Sequence, residues 1–189
     1  MTYFLDFDRT LFDTDAFNAS LVDEPGCAPF ADVLRATVAK KRDDTLSGGA
    51  GRQEAWRLVS EALLYGDLTF PPGHLSRFLY PEVLSVLEVL ATDAVIMTYG
   101  DIELQRVKIK SALPGLVARV IYTGDKSKAV VLAEEGFTGT ALFIDDRAVE
   151  LAACAASFPE LTLFEIRRDG RPGDGRWPVI RSLQELPVA

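Results

Sequence analysis

Two aspartates, two positions apart, end an apolar run near the start of the chain. Asp6 and Asp8 belong to the segment YFLDFDRTLFD, in which residues 3–7 have the length of one buried strand. In an open parallel sheet the carboxyl ends of the strands face the ligand crevice, so both carboxylates are expected beside one small volume. Two carboxylates about 4 Å apart repel by roughly 4 kcal/mol at an effective dielectric near 20, which favours a bound cation or a shared proton.

Polar residues also follow two later apolar runs, and a pair of lysines lies between them. The residues are Thr98, Tyr99 and Gly100 after the run 94–97, Asp145 and Asp146 after the run 141–144, and Lys126 and Lys128 at the start of a predicted helix. Loops at the carboxyl edge of a parallel sheet bring such groups together although they are far apart in sequence. We therefore expect Asp6, Thr98 and Asp145 at the ends of neighbouring strands.

The elements that position these residues alternate regularly from residue 81 onward. Apolar runs predict strands at 94–97, 117–122, 141–144 and 161–166, and helical periodicity predicts helices at 81–90, 102–113, 126–135 and 147–157. The first of these helices has Val83, Leu84, Leu87 and Leu90 on its predicted apolar face. This alternation indicates βαβ units, and therefore an α/β fold with a mainly parallel sheet covered on both faces.

The segment between the first strand and this alternating region has a different periodicity. Apolar residues recur at helical spacing over 31–42 and 53–65, with turn-forming sequence between them and after them. No strand pattern interrupts residues 12–79. We interpret them as a small helical insertion, either a plain helical subdomain or a cap that closes on the active site.

Composition excludes several classes of function. With a net charge of -8 and no clustered basic surface beyond Lys40 to Arg42, the sequence predicts no nucleic-acid partner. No apolar run has the length of a membrane span and no secretory signal precedes the first strand, so we expect a cytoplasmic protein without a membrane partner. A single histidine argues against histidine-based catalysis and zinc sites, and Cys27 and Cys154 are expected to be reduced thiols.

Four motifs in this order resemble those of the haloacid dehalogenase superfamily. They are DxDxT from Asp6, a hydroxyl in MTYG, a lysine, and the paired acids of LFIDD. The resemblance covers residues 1–166 and implies a three-layer Rossmann-like core, formed by residues 1–11 and 80–189, with a helical cap at 12–79. Arg9 departs from the pattern, since many phosphatases of the superfamily have glycine there.

The resemblance also implies a role for each site residue. Asp6 is the expected nucleophile and Asp8 the expected acid and base, while Thr98 and Lys126 complete the catalytic set. Phosphate is expected to bind at Thr98, Tyr99, Gly100 and Lys126, with Lys128 as the alternative lysine. Lys126 is preferred because that alignment turns Ala129, Val130 and Ala133 toward the sheet. Mg²⁺ is the expected cofactor, held by Asp6, Asp8, Asp145 and Asp146, with Asp8 contributing its backbone carbonyl.

The predicted function is therefore a Mg²⁺-dependent phosphohydrolase that cleaves a small phosphomonoester, a metabolite or a nucleotide, through an aspartyl phosphate. Two alternatives remain. One is a phosphomutase, and the other is a catalytically silent module that binds a phosphorylated ligand or partner. The sequence identifies neither the substrate nor the oligomeric state.

Overall fold

The computed structural model describes residues 1–40, 50–115 and 118–187 of the 189. Within these residues the chain forms one sheet of six strands. The strands are β1 Thr2–Asp6, β2 Ala94–Tyr99, β3 Arg119–Gly124, β4 Ala141–Asp145, β5 Thr162–Ile166 and β6 Val179–Ile180. Strands β1, β2 and β4 are buried over nearly their whole length, as is typical of strands covered on both faces.

The order of the strands places β1 at the centre of the sheet. The order is β3-β2-β1-β4-β5-β6, and every neighbouring pair is parallel. Residue Leu5 of β1 is in register with Ile96 of β2 and with Ile144 of β4. The carboxyl ends of these three strands therefore lie side by side. Strand order reverses at β1, which is the place where open α/β sheets bind ligands.

In the described parts of the chain, seven α-helices connect the strands or lie in the insertion. They are α1 Thr14–Ser20, α2 Ala31–Lys40, α3 Ala50–Tyr65, α4 Val83–Leu90, α5 Ile102–Ala112, α6 Lys128–Glu134 and α7 Ala148–Ser157. Helices α6 and α7 cover one face of the sheet, where Leu132 and Leu151 join a buried cluster with Phe4 and Phe143 of the strands. Each such side chain contributes roughly 1.5–3 kcal/mol when it is fully removed from water.

The chain divides into two compact units. The first contains Met1–Asp13, Leu79–Gln105 and Gly115–Ala189, and it includes the whole sheet. The second contains Thr14–Phe78 and Arg106–Pro114. The second unit therefore differs from the expected cap, residues 12–79, in two ways. Residues 12, 13 and 79 belong to the first unit, and Arg106–Pro114, which includes the later part of α5, is added. The sequence pattern gave no sign of this addition, because α5 reads as one continuous helix.

Aromatic packing organises the second unit. The ring of the buried Phe17 meets those of Phe70 and Phe78 edge-on, with centroids 5.8 and 5.7 Å apart. Ser111 joins the unit by two hydrogen bonds, since its hydroxyl donates to the carbonyl of Pro71 and accepts from the amide of Leu75. These contacts explain why the end of α5 belongs with the helical insertion.

The expected α/β class with a mainly parallel sheet is confirmed. Strands β1 to β5 overlap the predicted apolar runs, although β3 extends to Gly124, two residues past its predicted end. One residue of the predicted apolar face of α4 is wrong. Leu84 is 57% exposed, because Val83, Leu87 and Leu90 at helical spacing form the buried side of the helix without it. The predicted helix end at Arg42 and the predicted strand start at residue 117 lie outside the described residues. Helix α1 and strand β6 were not assigned from sequence.

Two further expectations concern the class of protein. No helix in the described parts of the chain combines the length and the apolar character that crossing a membrane requires. Cys27 and Cys154 are both buried free thiols, as expected.

Candidate active site

Asp6 ends the central strand with its side chain in the protein interior. Only 5% of the residue is exposed. One carboxylate oxygen, Oδ1, accepts a hydrogen bond from the Lys128 ammonium. The other, Oδ2, is buried and has no hydrogen-bond partner among the residues that the structure describes. A buried polar atom without a partner is costly, which points to a ligand at this position.

Lys128 supplies the positive charge of the site. It is the first residue of α6, where the Ser127 hydroxyl caps the helix by accepting from the amide of Val130. The fully buried Lys128 side chain bridges two strand ends, because its Nζ donates to Asp6 and also to Asp145 Oδ2 at 2.6 Å. The carboxyl ends of β1 and β4 therefore share one cation.

The expectation that Lys126 fills this place is wrong. The Lys126 ammonium is half exposed and donates to both carboxylate oxygens of Glu134 at 2.8 Å. The alignment that favoured it turned Ala129, Val130 and Ala133 toward the sheet, but only Ala129 is buried, and Val130 is 48% exposed. The buried face of α6 instead contains Lys128, Ala129, Val131 and Leu132.

Three carboxylates form a candidate metal site beside this lysine. Asp6, Asp145 and Asp146 each place one oxygen so that all three oxygens lie within 4.8 Å of one another. Asp145 is fixed further by its Oδ1, which accepts from the backbone amide of Arg147 at 2.8 Å. Hard oxygen donors of this kind suit Mg²⁺. The side chain of Asp8 is not part of this group.

The charges of the site do not balance without a further cation. Burial raises the pKa of Asp6, against the lowering effect of Lys128 and with the help of the charges on Asp145 and Asp146. Burial and the charge of Asp145 raise the pKa of Asp146 to about 7. Burial disfavours the charged form of Lys128, but Asp145 and Asp6 outweigh it and raise the pKa of that ammonium. One ammonium, together with the Arg9 guanidinium 3.8 Å from Asp146, therefore faces three carboxylates, and this excess of negative charge favours a further cation.

Thr98 lies at the end of β2, as predicted. Its side chain is buried, and its Oγ1 has no hydrogen-bond partner in the described parts of the chain. The Thr98 carbonyl accepts from the hydroxyl of Thr123 on β3 at 3.2 Å, and the pairing of β2 with β3 shifts register between Thr98 and Tyr99. A buried hydroxyl without a protein partner can donate to an anionic ligand.

Tyr99 and Gly100 lie at the rim rather than in the buried cluster. Tyr99 is 40% exposed, and the Arg147 guanidinium lies over its ring, 4.8 Å from the centroid. Gly100 has φ +117°, and its amide donates to the carbonyl of Gly124 at 2.8 Å. A shallow pocket begins at these two residues, and its lining is Tyr99, Gly100, Asp101, Ile102, Glu103, Gly124 and Asp125.

Asp8 and Arg9 follow the central strand. Asp8 is half-buried, and its Oδ2 accepts from Gln105 Nε2 at 2.7 Å. Arg9 has φ 62°, in the left-handed region where glycine carries no steric penalty, so the departure from glycine at this position has a backbone cost of about 1 kcal/mol. Its Nη1 lies 3.8 Å from Asp146 Oδ2.

Two contributions to the site were missed from sequence. Gln105 contacts Asp8, yet a lone glutamine on a helix has no distinguishing pattern. Glu150 on α7 is buried and accepts from the backbone amide of Lys128 at 2.9 Å, which fixes the start of α6. The sequence did offer a signal for Glu150, because a single glutamate in an otherwise alanine-rich, apolar helix indicates a buried polar contact.

No family model and no curated protein matches this chain. Several solved structures do match it. A haloacid dehalogenase-like hydrolase from Burkholderia xenovorans LB400 has a TM-score of 0.64 at 21% identity, over 96% of this chain and 92% of that one. This chain has the haloacid dehalogenase-like fold. A haloacid dehalogenase-like family hydrolase from Xanthomonas campestris gives 0.53 at 15% identity, covering 96% and 90% of the two chains. The UTR4 protein of Saccharomyces cerevisiae gives 0.51 at 17% identity, covering 98% and 99%.

In this haloacid dehalogenase-like fold, the residues of the four motifs meet at the carboxyl edge of the sheet. The groups that meet there are a buried carboxylate oxygen and a buried hydroxyl, both without partners among the described residues, a buried ammonium, and two further carboxylates. Such a set can hold a divalent cation and an anionic group side by side.

Proposed function

We propose that this protein is a Mg²⁺-dependent phosphohydrolase that cleaves a small phosphomonoester through an aspartyl phosphate. The observation that carries the proposal is the joint placement of Asp6, Lys128 and Thr98. A carboxylate oxygen and a hydroxyl are buried without a partner among the described residues, and an ammonium lies against the same carboxylate. A phosphoryl group needs these three partners: a nucleophile, a donor and a positive charge.

The roles of the residues follow from their surroundings. Asp6 Oδ2 attacks phosphorus, while Lys128 holds Oδ1 of the same carboxylate and so fixes its orientation. Thr98 Oγ1 donates to a phosphoryl oxygen. The Lys128 ammonium neutralises negative charge on the group in transfer, and it stays protonated because two carboxylates raise its pKa.

The carboxylates of Asp6, Asp145 and Asp146 would hold Mg²⁺, together with the backbone carbonyl of Asp8 that the resemblance implies. When bound, the ion neutralises the charge that the carboxylates leave uncompensated and polarises a phosphoryl oxygen. The fit rests on the donor set, one oxygen from each of three carboxylates, all within 4.8 Å of one another.

Asp8 provides the proton transfers. It gives a proton to the leaving oxygen as the ester bond breaks, and it later takes a proton from the water that hydrolyses the aspartyl phosphate. Asp8 is suited to this role because its side chain is outside the three-carboxylate cluster and only half-buried. Two of the structural neighbours are described as hydrolases, which supports a hydrolytic reaction.

We also propose that the insertion at residues 12–79 selects the substrate. A cap that follows the nucleophile strand directly can sequester the reaction from water. Its aromatic centre, formed by Phe17, Phe70 and Phe78, gives it a packed core of its own.

Phosphate release from a panel of phosphomonoesters, measured with Mg²⁺ and with EDTA, tests the proposed function. Turnover that needs Mg²⁺ is the expected result. The nucleophile is tested by trapping the phosphoenzyme in Asp6→Asn, which should form none, because an amide does not make the acyl phosphate at a useful rate. Absence of turnover with every substrate, together with intact Mg²⁺ binding, would instead favour a module that binds a phosphorylated ligand without catalysis.

A further inference from the structure

Gln105 connects the proposed acid and base of the reaction to the end of strand β2. The residue lies on α5 and is only 6% exposed. Its Nε2 donates two hydrogen bonds, to Asp8 Oδ2 at 2.7 Å and to the backbone carbonyl of Tyr99 at 3.0 Å. The backbone amide of Gln105 donates to the carbonyl of Asp101 at 2.9 Å, so the first turns of α5 fix its position.

The contact with Tyr99 determines which way the side-chain amide faces. A backbone carbonyl oxygen only accepts, so the group that faces Tyr99 must be the NH₂ and not the oxygen of the amide. The second hydrogen of the same nitrogen is then directed to Asp8. Gln105 therefore presents a donor to Asp8 Oδ2, and this oxygen serves as an acceptor.

Space for this arrangement comes from Gly100. A Cβ atom at this position would lie 3.4 Å from Gln105 Nε2, which is at the limit of ordinary contact. The positive φ of Gly100, +117°, is also one that side chains rarely adopt. The strand end that includes Thr98 and Tyr99 is thus shaped to receive the amide of Gln105.

We propose that Gln105 is a positioning residue that determines which oxygen of Asp8 transfers the proton. This inference rests on the proposed phosphohydrolase function. With Oδ2 held as an acceptor, the proton belongs to Oδ1. In the first step the bond from Asp6 to phosphorus forms, the ester bond breaks and the Oδ1 proton passes to the leaving oxygen. In the second step water attacks phosphorus, returns a proton to Oδ1 and releases Asp6 and phosphate.

The inference predicts a dependence on the leaving group. Gln105→Met keeps the approximate volume but removes the donor, so the Asp8 carboxyl is no longer held with Oδ1 toward the leaving oxygen. With p-nitrophenyl phosphate, whose leaving group needs little protonation, we expect the rate of phosphoenzyme formation to change less than about threefold. With an alkyl phosphate, which needs the proton, we expect a loss of about tenfold to a hundredfold, within the range that general acid catalysis contributes.

Gln105→Glu provides a second variant of the same shape without the NH₂ donor, and the same steep dependence is expected. Gln184→Met is the matched control, because Gln184 is exposed on the 3-10 turn Leu183–Glu185 and should behave as the wild type. Thermal unfolding monitors the folded state of each variant.

Three outcomes would overturn the inference. One is an equal loss with both substrates, which would mean that Gln105 does not act through the proton. Another is no loss with either substrate. The third is failure of both Gln105 variants to fold, which would assign the residue to the fold alone. A wild-type protein that releases no phosphate from either substrate overturns the proposed function itself, and so the two failures are distinguishable.

Discussion

The excess of carboxylates in the site predicts how the stability of the metal-free protein changes with pH. Burial and the charge of Asp145 raise the pKa of Asp146 from 3.8 to about 7. The folded state therefore binds this proton more tightly than the unfolded state does. The stability that Asp146 contributes is fully present below pH 3.8, the ordinary value, and is lost as the pH rises through about 7.

The size of the effect follows from the two pKa values. Between pH 6 and pH 8, Asp146 alone should lower the free energy of unfolding by about 1.4 kcal/mol. For a chain of this length such a change corresponds to a fall in Tm of about 3 to 6 °C. Asp6 has a pKa raised by burial as well, so its contribution has the same sign.

Mg²⁺ should offset this loss of stability, because the ion binds the ionised carboxylates and competes with the proton. Its affinity should be about tenfold weaker at pH 6 than at pH 8, from the same proton on Asp146. Stabilisation by a fixed Mg²⁺ concentration should therefore be larger at pH 8 than at pH 6.

Urea unfolding at pH 6, 7 and 8, in EDTA and in Mg²⁺, measures these effects. Asp146→Asn should lose the part of the pH dependence that Asp146 causes and should respond weakly to Mg²⁺. Asp32→Asn is the control, because Asp32 is exposed and forms a surface ion pair with Arg35, and it should behave as the wild type. The reasoning is refuted if the wild type and Asp146→Asn show the same pH dependence in EDTA.

The remaining predictions concern the lysines, the Thr98 hydroxyl and the thiols. Lys128→Met should lower the free energy of unfolding in EDTA by about 3–5 kcal/mol, because two buried carboxylates lose their cation. Lys126→Met should lower it by less than about 1 kcal/mol. Urea unfolding compares the two variants, and equal losses would contradict the assignment of Lys128 to the site. Thr98→Val should reduce phosphate turnover without lowering Tm, since its hydroxyl has no partner among the described residues; a fall in Tm with normal turnover would reverse this assignment. Burial raises the pKa of Cys27 to about 11 and of Cys154 to about 12, so both should react with a disulfide reagent at pH 8 only after unfolding; rapid reaction of the native protein would show that the thiols are accessible.

The sheet could be predicted from sequence because its information is local. Each buried strand is a short apolar run, and the helices between strands have a clear period, so the order of the elements follows directly. The strand-end residues Asp6, Thr98 and Asp145 could be predicted for the same reason, since the end of an apolar run marks the edge of the sheet. Strand β6 has only two residues, Val179–Ile180, and is too short to give a pattern.

The choice between Lys126 and Lys128 depends on which face of α6 is buried, and the sequence left this open. Alanine and valine at 129, 130 and 133 suggested one buried face, but Val130 is half exposed while Lys128 is fully buried. Burying a lysine without a partner costs free energy, so a sequence pattern does not suggest it. The burial of Lys128 is tolerated because Asp6 and Asp145 lie beside its ammonium. That pairing depends on residues more than one element away.

Gln105 illustrates a different limit. The two hydrogen bonds from its Nε2 join α5 to Asp8 after β1 and to Tyr99 at the end of β2. Asp8 is far away in sequence, and Tyr99 belongs to a different element. A pattern within one helix contains no information about either partner. The same holds for Arg106–Pro114, whose membership in the second unit depends on contacts of Ser111 with residues 71 and 75.

The central position of β1 has a consequence for how the chain is made. Tyr3 pairs with Ala94 on one side and with Leu142 on the other, so the middle strand is synthesised long before either neighbour. At about 5–20 residues per second, a ribosome needs several to tens of seconds to supply the second partner. During that time an apolar segment has two unpaired edges, which is the condition that favours aggregation of a nascent chain. The rate at which residues 94–145 emerge therefore sets how long both edges of β1 stay unpaired.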